Sequence, residues 1–189
     1  MAATRPRIYM CSCCFIDLVK GSVGKALGSG RDKEVWFVDA LLKASANRDL
    51  EVYTSTLSVA ECTHAGDENI TNEVKDLFMR FLSSGKHVVL IQPDVFVAED
   101  ARDLRWKHDI TLSGADALHV ASALSVGCKE FLTTDARRKG PLGQAQRLAQ
   151  LGMNVILPSA TGFLPDEYRQ TDLTGAPAKP VDKKRPRKK

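Results

Sequence analysis

The chain has 189 residues, a net charge of +4, 43% hydrophobic residues and 26% charged residues, a balance that fits one domain with a buried core and excludes a disordered or fibrous chain. No apolar run approaches the roughly 20 residues needed to span a bilayer, and the opening MAATRPRIYM carries no secretory apolar segment, so the expected setting is cytoplasmic, with no membrane partner. The charge is unevenly spread: Ala176–Lys189 (APAKPVDKKRPRKK) holds seven Lys or Arg and one Asp, a local +6 that leaves residues 1–175 at −2.

In chain order, short runs rich in β-branched or aromatic residues predict buried parallel strands over RIYM (7–10), VYTST (52–56), HVVLI (87–91), FLTT (131–134) and NVIL (154–157). Helical patterns lie between them. Helices are expected over 13–20, 33–47, 58–65, 95–107, 114–126 and 142–151, with a further apolar stripe of Val74, Leu77, Phe78, Phe81 and Leu82. Strands alternating with helices imply a mostly parallel sheet covered on both faces. The expected division is one domain over 1–165 and a basic, disordered tail over 166–189. Five cysteines, an odd number in a chain expected in the cytosol, argue against a disulfide framework.

Three carboxylates stand near the ends of these strands, and each has an ordinary explanation. Glu61 is expected in the first turn of a helix, where Ser58-x-x-Glu61 reads as a capping box, and Ser113-x-x-Asp116 reads the same way. Asp135 follows a strand, where an aspartate commonly caps a turn. Taken together they point elsewhere. Ligands of parallel sheets bind beyond the carboxyl ends of the strands, and carboxylates that converge there need a cation. A hard divalent ion suits oxygen ligands, and such an ion suits phosphodiester cleavage.

Read in order, IYMCSCCFIDLVKG, LSVAEC, GADALHVASAL and FLTTDAR resemble the PIN-domain ribonucleases, most closely the VapC-type toxins of bacterial toxin–antitoxin systems. The resemblance runs from about Arg7 to Pro158. It implies a PIN-like three-layer α/β/α sandwich with a mostly parallel five-stranded sheet, and Mg²⁺- or Mn²⁺-dependent hydrolysis of RNA. It places Glu61, Asp116 and Asp135 in the acidic metal site, with Ser12 and Thr134 as neighbouring hydroxyls that orient carboxylates or water. It also implies a homodimer and an antitoxin protein whose tail lies across the site, gripped by an arm matching the helices near 33–47 and 70–84. His119 shares a helix face with Asp116 and reads as a packed, hydrogen-bonded residue. Arg137, Arg138 and Lys139 either steer phosphate or form a solvated basic surface.

One position departs from the family pattern. Cys11 stands where the first aspartate is expected, and Asp17 lies too far into the next helix to replace it. A thiol with an ordinary pKa near 8.5 is mostly protonated at neutral pH, and even as thiolate it is a soft ligand. Three outcomes follow: an attenuated or inactivated ribonuclease, modest activity on the remaining three carboxylates, or a zinc site joining Cys11, Cys13 or Cys14 to Cys62 or His64. The alternatives to an RNA-cutting enzyme are a catalytically silent PIN-fold module that binds RNA or protein, and a DNA-directed nuclease.

Overall fold

The computed structural model describes residues 5–66 and 70–169; from residue 170 onward the expected basic tail lies outside the described residues. The strands are β1 (Arg7–Met10), β2 (Glu51–Ser55), β3 (Val89–Ile91), β4 (Glu130–Leu132) and β5 (Asn154–Ile156). The helices are α1 (Ser12–Ser22), α2 (Arg31–Ala46), α3 (Thr56–Glu61), α4 (Asn72–Phe78), α5 (Val95–Trp106), α6 (Gly114–Ser125) and α7 (Ala145–Ala149). All five strands are parallel, in the order β3-β2-β1-β4-β5.

Alternation along β1 divides the core in two. Ile8 and Met10 pack with Phe15, Leu41 and Phe78 beneath α1, α2 and α4. Tyr9 and Cys11 point to the other face and pack with Phe131, Val120 and Leu148 beneath α5, α6 and α7. That arrangement is the three-layer α/β/α sandwich, and a central strand apolar on both faces is what such a sheet requires. The edge strand β3 is shorter than expected, because Val89 and Leu90 lie half-exposed at the rim with no strand beyond them. Packing continues past residue 165. The Tyr168 hydroxyl donates to Asp49 Oδ2 at 2.6 Å and accepts from Asn47 Nδ2 at 2.7 Å, so a short turn at Asp166–Tyr168 closes against the end of α2. No helix among the described residues is long and apolar enough to cross a membrane.

The winding reverses beside β1. The chain lays β2 and β3 on one side, then crosses to place β4 and β5 on the other. Two connections therefore leave the sheet in opposite directions between β1 and β4 and open a crevice at their carboxyl ends. Cys11 and the residues after Leu132 stand at this point, joined by a bond from the Cys11 amide to the Leu132 carbonyl at 3.0 Å.

Candidate active site

At the β1 corner, Cys11 is the N-cap of α1 but makes no side-chain cap bond, so the position is structurally undemanding for a thiol. Cys11 is buried, and its hydrogen bond to Cys13 together with burial holds the thiol well above its usual range. Cys13 is its opposite. Donation from Cys11 and Cys14 pulls its thiol down, with further partners in the Thr133 hydroxyl at 3.2 Å and the Thr134 amide at 3.3 Å. The zinc reading is overturned: among the described residues no three Cys, His, Asp or Glu side chains stand together as a metal site. Cys62 instead turns its sulfur to the Ser12 carbonyl at 3.8 Å, and His64 accepts from the Gly66 amide.

Across the crevice, Glu61 is the last residue of α3, not part of its first turn. The expected capping box at Ser58 is corrected by the structure. Ser55 caps the helix by accepting from the Leu57 amide, and Ser58 is buried against the Thr54 hydroxyl at 2.7 Å. This shift frees the Glu61 carboxylate, which meets His119 Nε2 at 2.8 Å. The other ring nitrogen, Nδ1, lies 2.6 Å from the Tyr9 hydroxyl, and that hydroxyl accepts from the Ser55 amide at 3.0 Å. If Nε2–H donates to the carboxylate, Nδ1 must accept from Tyr9, so one tautomer satisfies the whole chain. His119 is thus the packed, hydrogen-bonded histidine expected. Its bond, followed by burial in the opposite sense and the Ser12 hydroxyl, leaves the Glu61 carboxyl below the usual carboxylate range.

At the β4 corner two carboxylates meet one cation. Ser113 caps α6 through the Asp116 amide at 3.2 Å, and its hydroxyl donates to Asp116 Oδ2 at 2.7 Å, fixing that side chain at the positive end of the helix. Asp135 follows β4; its amide donates to the Thr133 hydroxyl at 3.1 Å, and its Oδ1 accepts from the Arg137 amide at 3.0 Å, which is the turn-capping role expected of it. The Arg137 guanidinium then grips Asp135 through Nε at 2.8 Å and Nη2 at 2.5 Å, while the same Nη2 stands 3.6 Å from Asp116 Oδ2. The two carboxylates are therefore no further apart than those last two contacts laid end to end. Arg137 holds the Asp135 carboxyl below its usual range. Gly140 closes the loop: a Cβ there would stand 3.0 Å from Asp135 Oδ2 and 3.2 Å from the Arg137 carbonyl, tighter than the loop allows without shifting.

Ser12 is buried at the start of α1 between these corners. Thr134 turns the other way: its hydroxyl donates to Asp17 Oδ2 at 2.8 Å. Asp17 is held by Arg31 at 2.9 and 2.7 Å, so it lies in a separate buried network, away from the place of the missing aspartate. Two contributors were not singled out from the sequence: Thr133 faces the site where Thr134 does not, and Tyr9 backs His119. Arg137, expected either to steer phosphate or to form a solvated basic surface, instead bridges the two carboxylates. Only the position of Thr133 two residues before Asp135 offered a signal, since alternate strand residues share a face.

A family model described as PIN domain matches residues 23–139, well over half the chain. The chain belongs to the PIN-domain family. PIN domains are in general nucleases, which sets the coarse class of this one as a hydrolase of nucleic acid. The matched span contains Glu61, Asp116 and Asp135 and begins after β1 and Cys11. Two solved structures are similar in fold: FitAcB from Neisseria gonorrhoeae (14% identity, 82% of this chain and 99% of that one, TM-score 0.47) and FitAB bound to an IR36 DNA fragment (17%, 82% and 96%, TM-score 0.48). No curated protein matches the chain.

PIN domains typically use divalent ions, and the residues here fit one in part. Asp116 and Asp135 are hard oxygen donors aimed at a common cation, and Mg²⁺ is commonly held by one or two carboxylates with water or substrate completing the shell. Glu61 does not form a three-ligand group with them among the described residues. Cys11, buried and protonated, offers no hard donor.

Proposed function

We propose that this PIN domain is a divalent-metal-dependent endoribonuclease of the VapC type, attenuated at Cys11, with Asp116 and Asp135 holding Mg²⁺ or Mn²⁺. The observation that carries the reading is the meeting of Asp116 and Asp135 on one cation at the switch point of the sheet. An ion held there would polarise a phosphoryl oxygen and offset charge in the transition state. The remaining roles belong to the chain itself. Ser113 keeps the Asp116 carboxylate aimed, and Thr133 anchors the backbone of Asp135. Glu61, kept ionised by His119 and placed near Ser12, is the acceptor for a proton of an incoming water. Arg137 can turn its planar guanidinium from the carboxylates to the substrate phosphate. RNA as substrate, an antitoxin partner, a homodimer and a cytoplasmic setting join this reading through the sequence resemblance.

A catalytically silent module is the second reading, and Arg137 is the observation that favours it. The pair of carboxylates already has a cation, and Cys11, held protonated where an aspartate is expected, supplies no charge to recruit another.

Cleavage of an end-labelled single-stranded RNA by the full chain in MgCl₂ or MnCl₂ separates the two. The nuclease reading expects Cys11→Asp to raise cleavage at least about 10-fold, roughly 1.4 kcal/mol of barrier, and Asp116→Asn to abolish it. Unchanged cleavage in Asp116→Asn removes Asp116 from the site. No cleavage in Cys11→Asp, together with no calorimetric signal for Mn²⁺, assigns the chain to the silent class.

A further inference from the structure

The two segments that meet at Asp116, Arg137 and Asp135 do not end there. From Asp135 the chain runs on through Arg138 and Lys139; backward from Asp116 it runs through Thr111 to Asp109. These segments, with the ends of α5 and α7, wall a cavity of ≈ 570 Å³ lined by Arg105, Asp109, Thr111, Arg138, Lys139 and Arg147. Four cations face one carboxylate. That carboxylate is spent on construction: Asp109 Oδ1 accepts from Arg105 at 2.7 Å and its Oδ2 from Arg147 at 3.0 Å, tying α5 to α7. Both guanidiniums remain about half-exposed, with N–H groups left over. Arg138 and Lys139 are exposed and have no carboxylate partner among the described residues. Gly143 fixes their place, since a Cβ there would fall 2.3 Å from the Arg138 carbonyl, so the loop lies directly on the chain entering α7.

This concentration is not the average of the protein, because residues 1–175 carry a net charge of −2. A polar, open, cationic cavity joined to a pair of carboxylates by continuous chain on two sides suits a ligand with regularly repeated anions, one of them at the carboxylates and the next beyond it. We propose that the cavity is the binding site for the internucleotide phosphates that flank the scissile linkage of a single-stranded RNA. The proposal rests on the nuclease reading and adds to it the direction in which the strand leaves the site. Arg138 and Lys139 make the phosphate contacts; Arg105 and Arg147 hold the opposite wall.

The test is binding, not cleavage. A fluorescein-labelled oligouridylate of 12 nucleotides is titrated with the full chain in EDTA at several KCl concentrations, and anisotropy is read. Each lost phosphate contact removes about 0.7 from the slope of log K against log salt for a single strand, so Arg138→Gln/Lys139→Gln should lower the slope by about 1.4 and weaken binding about 10-fold near 0.1 M salt. The pair Arg5→Gln/Lys86→Gln, beyond the amino ends of β1 and β3 and so at the opposite end of the sheet, should leave the slope in place. A slope unchanged in Arg138→Gln/Lys139→Gln, with wild-type binding intact, overturns the cavity and leaves the nuclease reading standing. Equal losses in both double variants overturn it as well, since they show binding by general charge. A wild type that binds no RNA overturns both.

Discussion

Two aspartates in this fold are clasped by arginines, and burial makes them opposites. Asp17 has 4% of its side chain exposed and its partner Arg31 38%, whereas Asp135 has 17% and Arg137 72%. In the first pair Arg31 reaches from the start of α2 to both carboxylate oxygens, and its second nitrogen meets the Thr134 carbonyl at 3.3 Å. Removing that cation strands a buried charge among the helices. In the second pair the cation stands in solvent, so its removal leaves the carboxylates at the surface of the crevice. The same ion pair is thus locked between helices in one place and open to solvent in the other, and only the open one invites exchange for another cation.

The contrast can be broken most directly by deleting each arginine. Arg31→Met should lower unfolding stability in urea by about 3 kcal/mol, the usual penalty for leaving one half of a buried pair, while Arg137→Met should change it by less than about 1 kcal/mol. Equal losses would show that exposure does not distinguish the two. A smaller effect sharpens the idea of exchange: if Arg137 competes with a divalent ion for Asp116 and Asp135, Arg137→Gln should tighten Mn²⁺ binding in calorimetry about 5-fold, roughly 1 kcal/mol. Weaker binding in that variant would make Arg137 a supporter of the ion, not its rival.

The smallest effect is on acid stability. The folded Asp135 and Glu61 carboxyls are both lowered, by Arg137 and by His119 respectively. Their contribution is therefore complete above the unfolded-state pKa of about 4 and is lost as pH falls through the lower folded value. Asp135→Asn should flatten the fall of melting temperature below about pH 4 and leave its difference from wild type constant between pH 6 and 8. An unaltered acid limb would mean that the Arg137 contact adds nothing to folding.

The sheet was legible because its strands are dense in β-branched and aromatic residues and separated by helical periods. β1 was expected at its observed limits, and the others shifted by one or two residues at their ends. The start of α3 was not legible. TSTLS offers several hydroxyl residues as caps, and capping chemistry does not choose Ser55 over Ser58. That one-turn ambiguity moved Glu61 from the beginning of its helix to the end. Thr133 and Thr134 pose a parity problem: adjacent strand residues face opposite ways, so a doubled threonine conceals which one serves Asp135. Partners such as Tyr9 with His119, or Arg31 with Asp17, depend on how the chain packs in three dimensions, which no local pattern encodes.

The strand order also sets a schedule. β1 is made first yet lies at the centre of the sheet, and Cys13 finds Thr133 only across 120 residues of chain. A polypeptide still emerging from the ribosome can pair β1 with β2 early, but it lacks the β4 wall, Asp135 and Arg137 until about two-thirds of its translation is over. The carboxylate pair and its arginine are therefore incomplete throughout most of the chain's own synthesis, while it is still tethered to the ribosome.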